Sequence, residues 1–296
     1  VSRRTIFFLV AAIVLVSAAT WNLRQRSETT IENDLERARP RIVSLSPAIT
    51  ETIFAFGADD LLVGRSDYCD FPAKALALPA AGTTLKPDLE ALAHLEPTLI
   101  LGEKNSGTAR SHLSAIARSE WLPWLSIDDL QASLRRLGEI TGRPQRAAAL
   151  FDRISAHLSS QPPAKGPKVL LAMAHTPGKM QEILYFRKDS LHGASLHAAG
   201  GINAVQRTPR GMPSLALEEV LALDPEMIII LAPNDSLSSE QREALLADWK
   251  TLTPLRAVER GRISVLAGRG YYSVGPRLVE LTKVLRLQIA QLDEKR

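Results

Sequence analysis

One passage of this chain occurs twice, and the duplication limits the possible folds more than any other feature. Asp88-Leu89-Glu90-Ala91-Leu92-Ala93-His94-Leu95-Glu96-Pro97-Thr98-Leu99-Ile100-Leu101 returns as Ala216-Leu217-Glu218-Glu219-Val220-Leu221-Ala222-Leu223-Asp224-Pro225-Glu226-Met227-Ile228-Ile229. Each copy reads Leu-Glu, a short helix of apolar period, an acid-Pro break, and a Leu/Ile run that suits a buried parallel strand. A helix-Pro-strand sequence is also a common way for any αβ unit to leave a helix and enter a sheet. The flanking residues favour a true duplication, so two like α/β lobes are expected.

At 296 residues, with 45% hydrophobic and 23% charged side chains, the chain has room for two ordinary domains with a substantial core. The formal charge is +4, and loss of Arg3 and Arg4 with a cleaved leader leaves +2. The basic residues are scattered and are not interleaved with aromatics, so no nucleic-acid partner is implied.

Val1-Ser2-Arg3-Arg4 has the positive charge of an export n-region, and Thr5 to Ala19 is an uncharged apolar run of h-region length. Val16-Ser17-Ala18 offers a small-residue cleavage site, while Thr5 to Leu23 is long enough to serve as an uncleaved anchor across a thin bilayer. Residues 1–23 are therefore expected to be a signal peptide or membrane anchor and 24–40 a polar tether. The rest is expected in the periplasm or on the outer face of the cytoplasmic membrane. No Cys follows the h-region, so a lipid-modified N-terminal Cys is not expected, and the single cysteine, Cys69, cannot form an intramolecular disulfide.

An N-terminal α/β lobe is expected over 41–125. Arg41 to Leu45 reads as a strand. A helix follows from Ser46-Pro47 through the apolar stripe Ile53, Phe54 and Phe56, and Gly57 ends it. Leu61 to Gly64 reads as the next strand. The loop Ser66-Asp67-Tyr68-Cys69-Asp70-Phe71-Pro72 then falls at its carboxyl end, where open α/β sheets bind ligands. Arg110 to Ser119 is expected to be a helix and Leu122 to Leu125 a strand. A helical spine is predicted over 126–160. Ile127, Leu130, Leu134, Leu137 and Ile140 share one helix face up to Gly142, and Pro144 restarts a second helix. A C-terminal α/β lobe over 161–296 opens with the strand Val169 to Ala172. It includes a helix from Ser190 to Ala199 ended by Gly200-Gly201, and it closes with an amphipathic helix over Arg277 to Leu292.

Five of these segments, in this order, resemble the substrate-binding proteins of ABC importers for vitamin B12, ferric siderophores and haem. They are Ser44-Leu45-Ser46-Pro47-Ala48-Ile49-Thr50-Glu51, the Ser66 to Pro72 loop, the two Leu-Glu units, Ala199-Gly200-Gly201-Ile202-Asn203 and Gly275-Pro276-Arg277. The resemblance covers about Arg41 to Leu292. It implies two Rossmann-like α/β lobes joined by a long helical spine, a ligand cleft between them, and small hinge motion on binding. It also implies that Glu90 and Glu218, the Leu-Glu acids of the two lobes, dock on arginines of the permease. Two carboxylates on separate lobes suit that task, giving a two-point electrostatic register. Without the resemblance, both read as helix-start acids favoured by the macrodipole.

Tyr68 matches a cleft tyrosine that contacts the corrin in the vitamin B12-binding members; read by itself, it is a half-buried loop tyrosine packed on its own lobe. The family's corrin-lining tryptophans align with Thr84, Glu103 and Met212, and an Asp and Arg of the last loop with Arg269 and Ser273. Tyr271 and Tyr272 stand in that last loop, where aromatic rings suit stacking on a macrocycle and a phenolate suits ferric haem iron. Thr83 occupies the position where a haem-ligating tyrosine of the first lobe is expected. Convergence of Lys86, Arg187, Lys188, Arg207, Arg210 and Arg269 would suit an anionic ferric chelate; dispersed, they form a solvated surface.

His94, His112, His157, His175, His192 and His197 show no metal-binding spacing, and no Gly-x-Ser-x-Gly elbow or Walker A loop is present. The resemblance implies, and the absence of these motifs agrees with, a monomeric solute-binding protein with no catalytic role and no intrinsic cofactor or metal. It would capture a cobalt corrinoid or a ferric chelate, with Tyr68, Glu103, Met212, Arg269, Tyr271 and Tyr272 in the cleft, and hand it to a permease and its ATPase subunits. A haem receptor of the same family is the near alternative. An exported α/β hydrolase using Asp67, Asp70 or His175 is the competing class, and a tethered sensor without transport a third.

Overall fold

The structure, a computed structural model, describes residues 39–104, 110–159, 166–209, 212–272 and 274–294. The leader expected over 1–23, all but the end of the tether, Arg210 and Ser273 lie outside the described residues. Both large sheets lie in the unit Ile42–Arg296.

In the first sheet, β1 (Ile42–Ser44) lies between β2 (Leu62–Arg65) and β3 (Leu99–Glu103), with β4 (Arg118–Leu122) outermost, all parallel. Every residue of β1 is buried, as the unbroken apolar run requires of a strand covered on both faces. Helix α1 (Pro47–Ala55) follows β1. Ser46 caps it, accepting a hydrogen bond from the Ile49 N–H, and Pro47 occupies the first turn. Gly57 then takes a left-handed φ of +64° and turns the chain toward β2.

The second sheet repeats the design. Here β5 (Lys168–Met173) lies between β7 (Ile202–Asn203) and β9 (Met227–Ala232), and β10 (Ile263–Ala267), which follows helices α8 (Ser239–Lys250) and α9 (Arg256–Glu259) in the chain, is outermost. Counted within each lobe, the strand order is 2-1-3-4 both times. The duplicated passage forms α2 (Leu89–His94) with β3 in one lobe and α7 (Leu217–Leu223) with β9 in the other. The acid before each proline, Glu96 and Asp224, turns the chain through positive φ, +44° and +40°. A small antiparallel pair, β6 (Glu182–Leu184) with β8 (Ser214–Ala216), completes the second lobe's sheets.

Between the lobes run α4 (Ile127–Thr141) and α5 (Pro144–Leu158). A Ser126/Asp129 capping box starts α4, and Gly142, at φ +66°, ends it. A side chain at Gly138 would place its Cβ 2.7 Å from that of Ala147, so the glycine sets the close approach of the two helices. The last helix, α11 (Leu278–Asp293), packs on α5 and on α6 (Leu191–Ala198). One continuous core runs from Ile42 and Ile53 through Leu134 and Leu150 of the spine to Val169, Ile229 and Leu281. Each sheet's other face has its own cluster, around Val43 and Ile100 or around Leu170 and Ile228. The molecule is thus the expected pair of α/β lobes on a helical spine.

One segment differs from the reading of the sequence. The helix expected from Arg110 to Ser119 is a single turn, α3 (Arg110–Leu113), and the strand starts at Arg118 rather than Leu122. As an edge strand, β4 leaves Arg118, Ser119 and Glu120 near solvent, so no apolar run marks its start. Among the described residues no helix is long and apolar enough to cross a membrane.

Candidate ligand-binding cleft

The carboxyl ends of both parallel sheets, where strand order reverses around β1 and β5, are where ligands bind in open α/β sheets. In the first lobe Glu103 ends β3 beside Ser46, which follows β1. The Ser46 hydroxyl donates to Glu103 Oε1 at 2.5 Å and accepts from the Ile49 N–H at 3.3 Å. Glu103 is half-buried, and desolvation raises its pKa against the opposing effect of the Ser46 hydrogen bond. Nearby, the Thr84 hydroxyl donates to the Leu45 carbonyl.

The loop after β2 presents Tyr68 with 60% of its surface exposed, while Cys69 beside it is buried against Ser66. Burial pushes the Cys69 thiol pKa up, as in an inert core cysteine. Asp70 reaches the other lobe and pairs with Arg269, which opens α10 (Arg269–Tyr272) and also meets Asp235 at 3.3 Å. Met212, before β8, is 70% exposed. Tyr271 and Tyr272 are half-buried and pack on the central core. Tyr272 stands edge-on to Phe186, its hydroxyl meets Met173 Sδ at 3.4 Å, and burial raises its pKa. The Tyr271 carbonyl lies 3.1 Å from Nε2 of His192, whose ring stacks on Phe186. Burial holds the His192 pKa down at about 4, so Nε2 is the donor of a neutral ring at pH 7.

Beneath these groups the lobes are joined by contacts the sequence did not disclose. Glu51 of α1 forms a two-pronged ion pair with Arg277, whose guanidinium also lies over the Phe71 ring, 4.2 Å from its centroid. Burial raises the Glu51 pKa, and Arg277 opposes that rise. Gly275 lies against α1, and a Cβ there would come within 3.2 Å of the Ala48 carbonyl oxygen. Trp124 Nε1 donates to the Val274 carbonyl at 2.7 Å. The Gly275-Pro276-Arg277 motif is therefore a seam between lobes, and each partner lies far away in sequence.

Three of the described candidate cations are already paired with acids. Arg187 pairs with Asp189, Arg207 with Glu219, and Arg269 with Asp70 and Asp235. Lys86 is exposed, and Lys188 meets Gln206 at 3.4 Å. The hydrolase candidates stay apart: His175 Nε2 lies 2.8 Å from Asp248, not from Asp67 or Asp70. A hydrogen bond from the Gly178 N–H, helped by His175, keeps the Asp248 pKa low. Among the described residues no three of His, Cys, Asp and Glu are grouped so as to hold a metal ion.

The docking candidates occupy like places. Glu90 stands in the first turn of α2, its side chain 88% exposed, behind Asp88, which accepts from the N–H groups of Glu90 and Ala91. Glu218 stands exposed in the first turn of α7, where the capping bond to the Ala216 N–H is made by its neighbour Glu219. Neither acid is needed as its helix's cap.

A family model described as periplasmic binding protein matches residues 42–269. The vitamin B12-binding protein of Photorhabdus laumondii is 25% identical over 88% of this chain and 92% of its own length. A periplasmic heme-binding protein structure from Pseudomonas aeruginosa is 27% identical, with a TM-score of 0.68 over 84% of this chain and 92% of that one. An ABC transporter substrate-binding protein from Listeria monocytogenes superposes with a TM-score of 0.71 at 22% identity, over 84% of this chain and 98% of its own. These relatives are solute-binding proteins, and they give the hydrolase alternative no support.

Proposed function

The chain belongs to the periplasmic binding protein family, and on that premise we propose that it is the solute-binding component of an ABC importer. It works in the periplasm or on the outer face of the cytoplasmic membrane, captures a corrinoid or a ferric chelate between its lobes, and hands it to a permease with ATPase subunits. The observation that carries this reading is the coincidence of two alignments. The likeness to a vitamin B12-binding protein runs through both lobes and the spine, and the carboxyl ends of the parallel strands, where an open α/β sheet binds ligand, carry Asp70 and Arg269, which pair between the lobes. Tyr68, Glu103, Met212, Arg269, Tyr271 and Tyr272 are the proposed ligand contacts, with Tyr68 the most available aromatic face. Glu90 and Glu218 are the proposed docking acids, supported by their exposure and equivalent placement on the duplicated unit.

Isothermal titration of residues 39–296 with cyanocobalamin, haemin and ferric siderophores tests the reading. Saturable one-to-one binding of one ligand is the expected result. Turnover of a ligand, or no binding across the set, refutes it.

A further inference from the structure

Arg269, Val274, Gly275 and Arg277 of the second lobe all touch the first, and their contacts are graded by burial. Arg277 holds Glu51, Gly275 lies against Ala48, the Val274 carbonyl accepts from Trp124, and Arg269 pairs with Asp70. The side chains of Arg277 and Glu51 are 18% and 3% exposed, those of Arg269 and Asp70 44% and 26%. Parting the first pair strands a charge away from water, whereas an exposed pair adds little net stability and yields readily. The seam can therefore open at its Arg269 end, where the chain leaves the carboxyl ends of β2 and β10, and hold at its Arg277 end.

Arg269 is also placed so that it can be released. Asp235, on its own lobe, lies 3.3 Å from Nε and accepts from the Arg269 backbone N–H at 3.4 Å. The guanidinium thus keeps a carboxylate when Asp70 lets go of Nη1. The loop that carries Asp70 is anchored separately, because the Phe71 ring lies under the Arg277 guanidinium. Asp70 follows Tyr68 by two residues and Arg269 precedes Tyr271 by two, so the pair spans the gap between aromatic contacts proposed on the two lobes. An acceptor oxygen on a ligand resting against those rings meets the edge of Arg269 that Asp70 holds.

We propose that Asp70 is a tethered competitor for Arg269, latching the mouth of the empty cleft until an acceptor oxygen of the entering ligand displaces it, while Glu51–Arg277 stays closed as the pivot. The displacement rests on the receptor reading above; the latch does not.

Distances between the lobes test the latch without a ligand. Spin labels at Leu76→Cys and Asn234→Cys, an exposed position on each lobe, are introduced into residues 39–296 and read by double electron–electron resonance; Cys69 is buried and stays unlabelled. The native chain is expected to give one short distribution at about 0.01 M salt and a longer, broader one at about 1 M, where an exposed pair is screened. Asp70→Asn should give the longer distribution at both. Asp235→Asn, which cuts no contact between the lobes, should keep the native distances. Identical distributions for the native chain and Asp70→Asn, or an equal change in Asp235→Asn, overturn the latch.

Stopped-flow mixing with cyanocobalamin, haemin and ferric citrate tests the displacement. A probe that binds should associate about two- to fivefold faster with Asp70→Asn, because freeing one exposed pair raises the competent fraction by that factor. Equal rates overturn the competition. Absence of binding by all three refutes the receptor reading instead, and the distances still decide the latch.

Discussion

At the scale of residues, two aromatic sites lead to distinct expectations. Tyr68 is 60% exposed on a loop whose backbone is pinned by buried Ser66 and Cys69, so its ring is available to a ligand at little ordering cost. Tyr68→Ala is expected to weaken binding of the ligand found by titration by about 1 to 3 kcal/mol, the loss of one aromatic face; an unchanged affinity would make the ring structural. His192 bears on stability instead. Its pKa is 6.5 as an unperturbed group and about 4 in the fold. Between those values the unfolded chain binds a proton that the folded chain does not. Stability therefore falls as pH is lowered through that window, by up to about 3 kcal/mol, and His192 adds no further loss below it. Urea midpoints at pH 7, 5.5 and 4 should show this loss in the native chain and not in His192→Gln; equal slopes would refute the assignment. Positions such as Tyr68 and Glu103 were legible in the sequence because strand ends can be read from apolar runs. Glu51, Trp124 and His192 were not, because their roles depend on partners 79 to 226 residues away. Tyr271 and Tyr272 were read as cleft rings, yet much of their surface goes into packing.

At the scale of elements, the duplicated αβ unit carries the expectation about transport. Glu90 and Glu218 stand in the first turns of α2 and α7, and both are spared capping duty, by Asp88 and Glu219. Charge reversal at both is expected to abolish ligand-stimulated ATP hydrolysis by the reconstituted permease while leaving ligand affinity in solution unchanged. Undiminished stimulation would return both acids to the status of helix-start charges. The third strands, β3 and β9, were legible because burial on both faces demands continuous Leu and Ile. The edge strand β4 was misplaced because solvent on one side permits Arg118 and Glu120. The short β6 and β8 pair went unread for a related reason: three-residue strands are too brief to display a period.

At the scale of the whole molecule, the two lobes are not independent bodies. The core that begins at Ile42 passes through the spine and reaches Leu281, and Glu51–Arg277 lies across the seam. Calorimetry of residues 39–296 is expected to give one cooperative transition; two resolved peaks would separate the lobes. Arg277→Ala leaves a buried carboxyl without its cation and should cost about 3 kcal/mol in urea unfolding, whereas a loss below 1 kcal/mol would show the pair to be incidental. The architecture was legible from the repeat, while the seam's chemistry was not.

The position of that seam in the chain fixes when it can form. Val274 and Arg277 follow their partners Trp124 and Glu51 in the chain by 150 and 226 residues, and α11 comes after both. A ribosome releasing this polypeptide therefore delivers the first lobe with its inner face uncovered. Until those later residues join it, the growing chain lacks the contacts that lock its two lobes together.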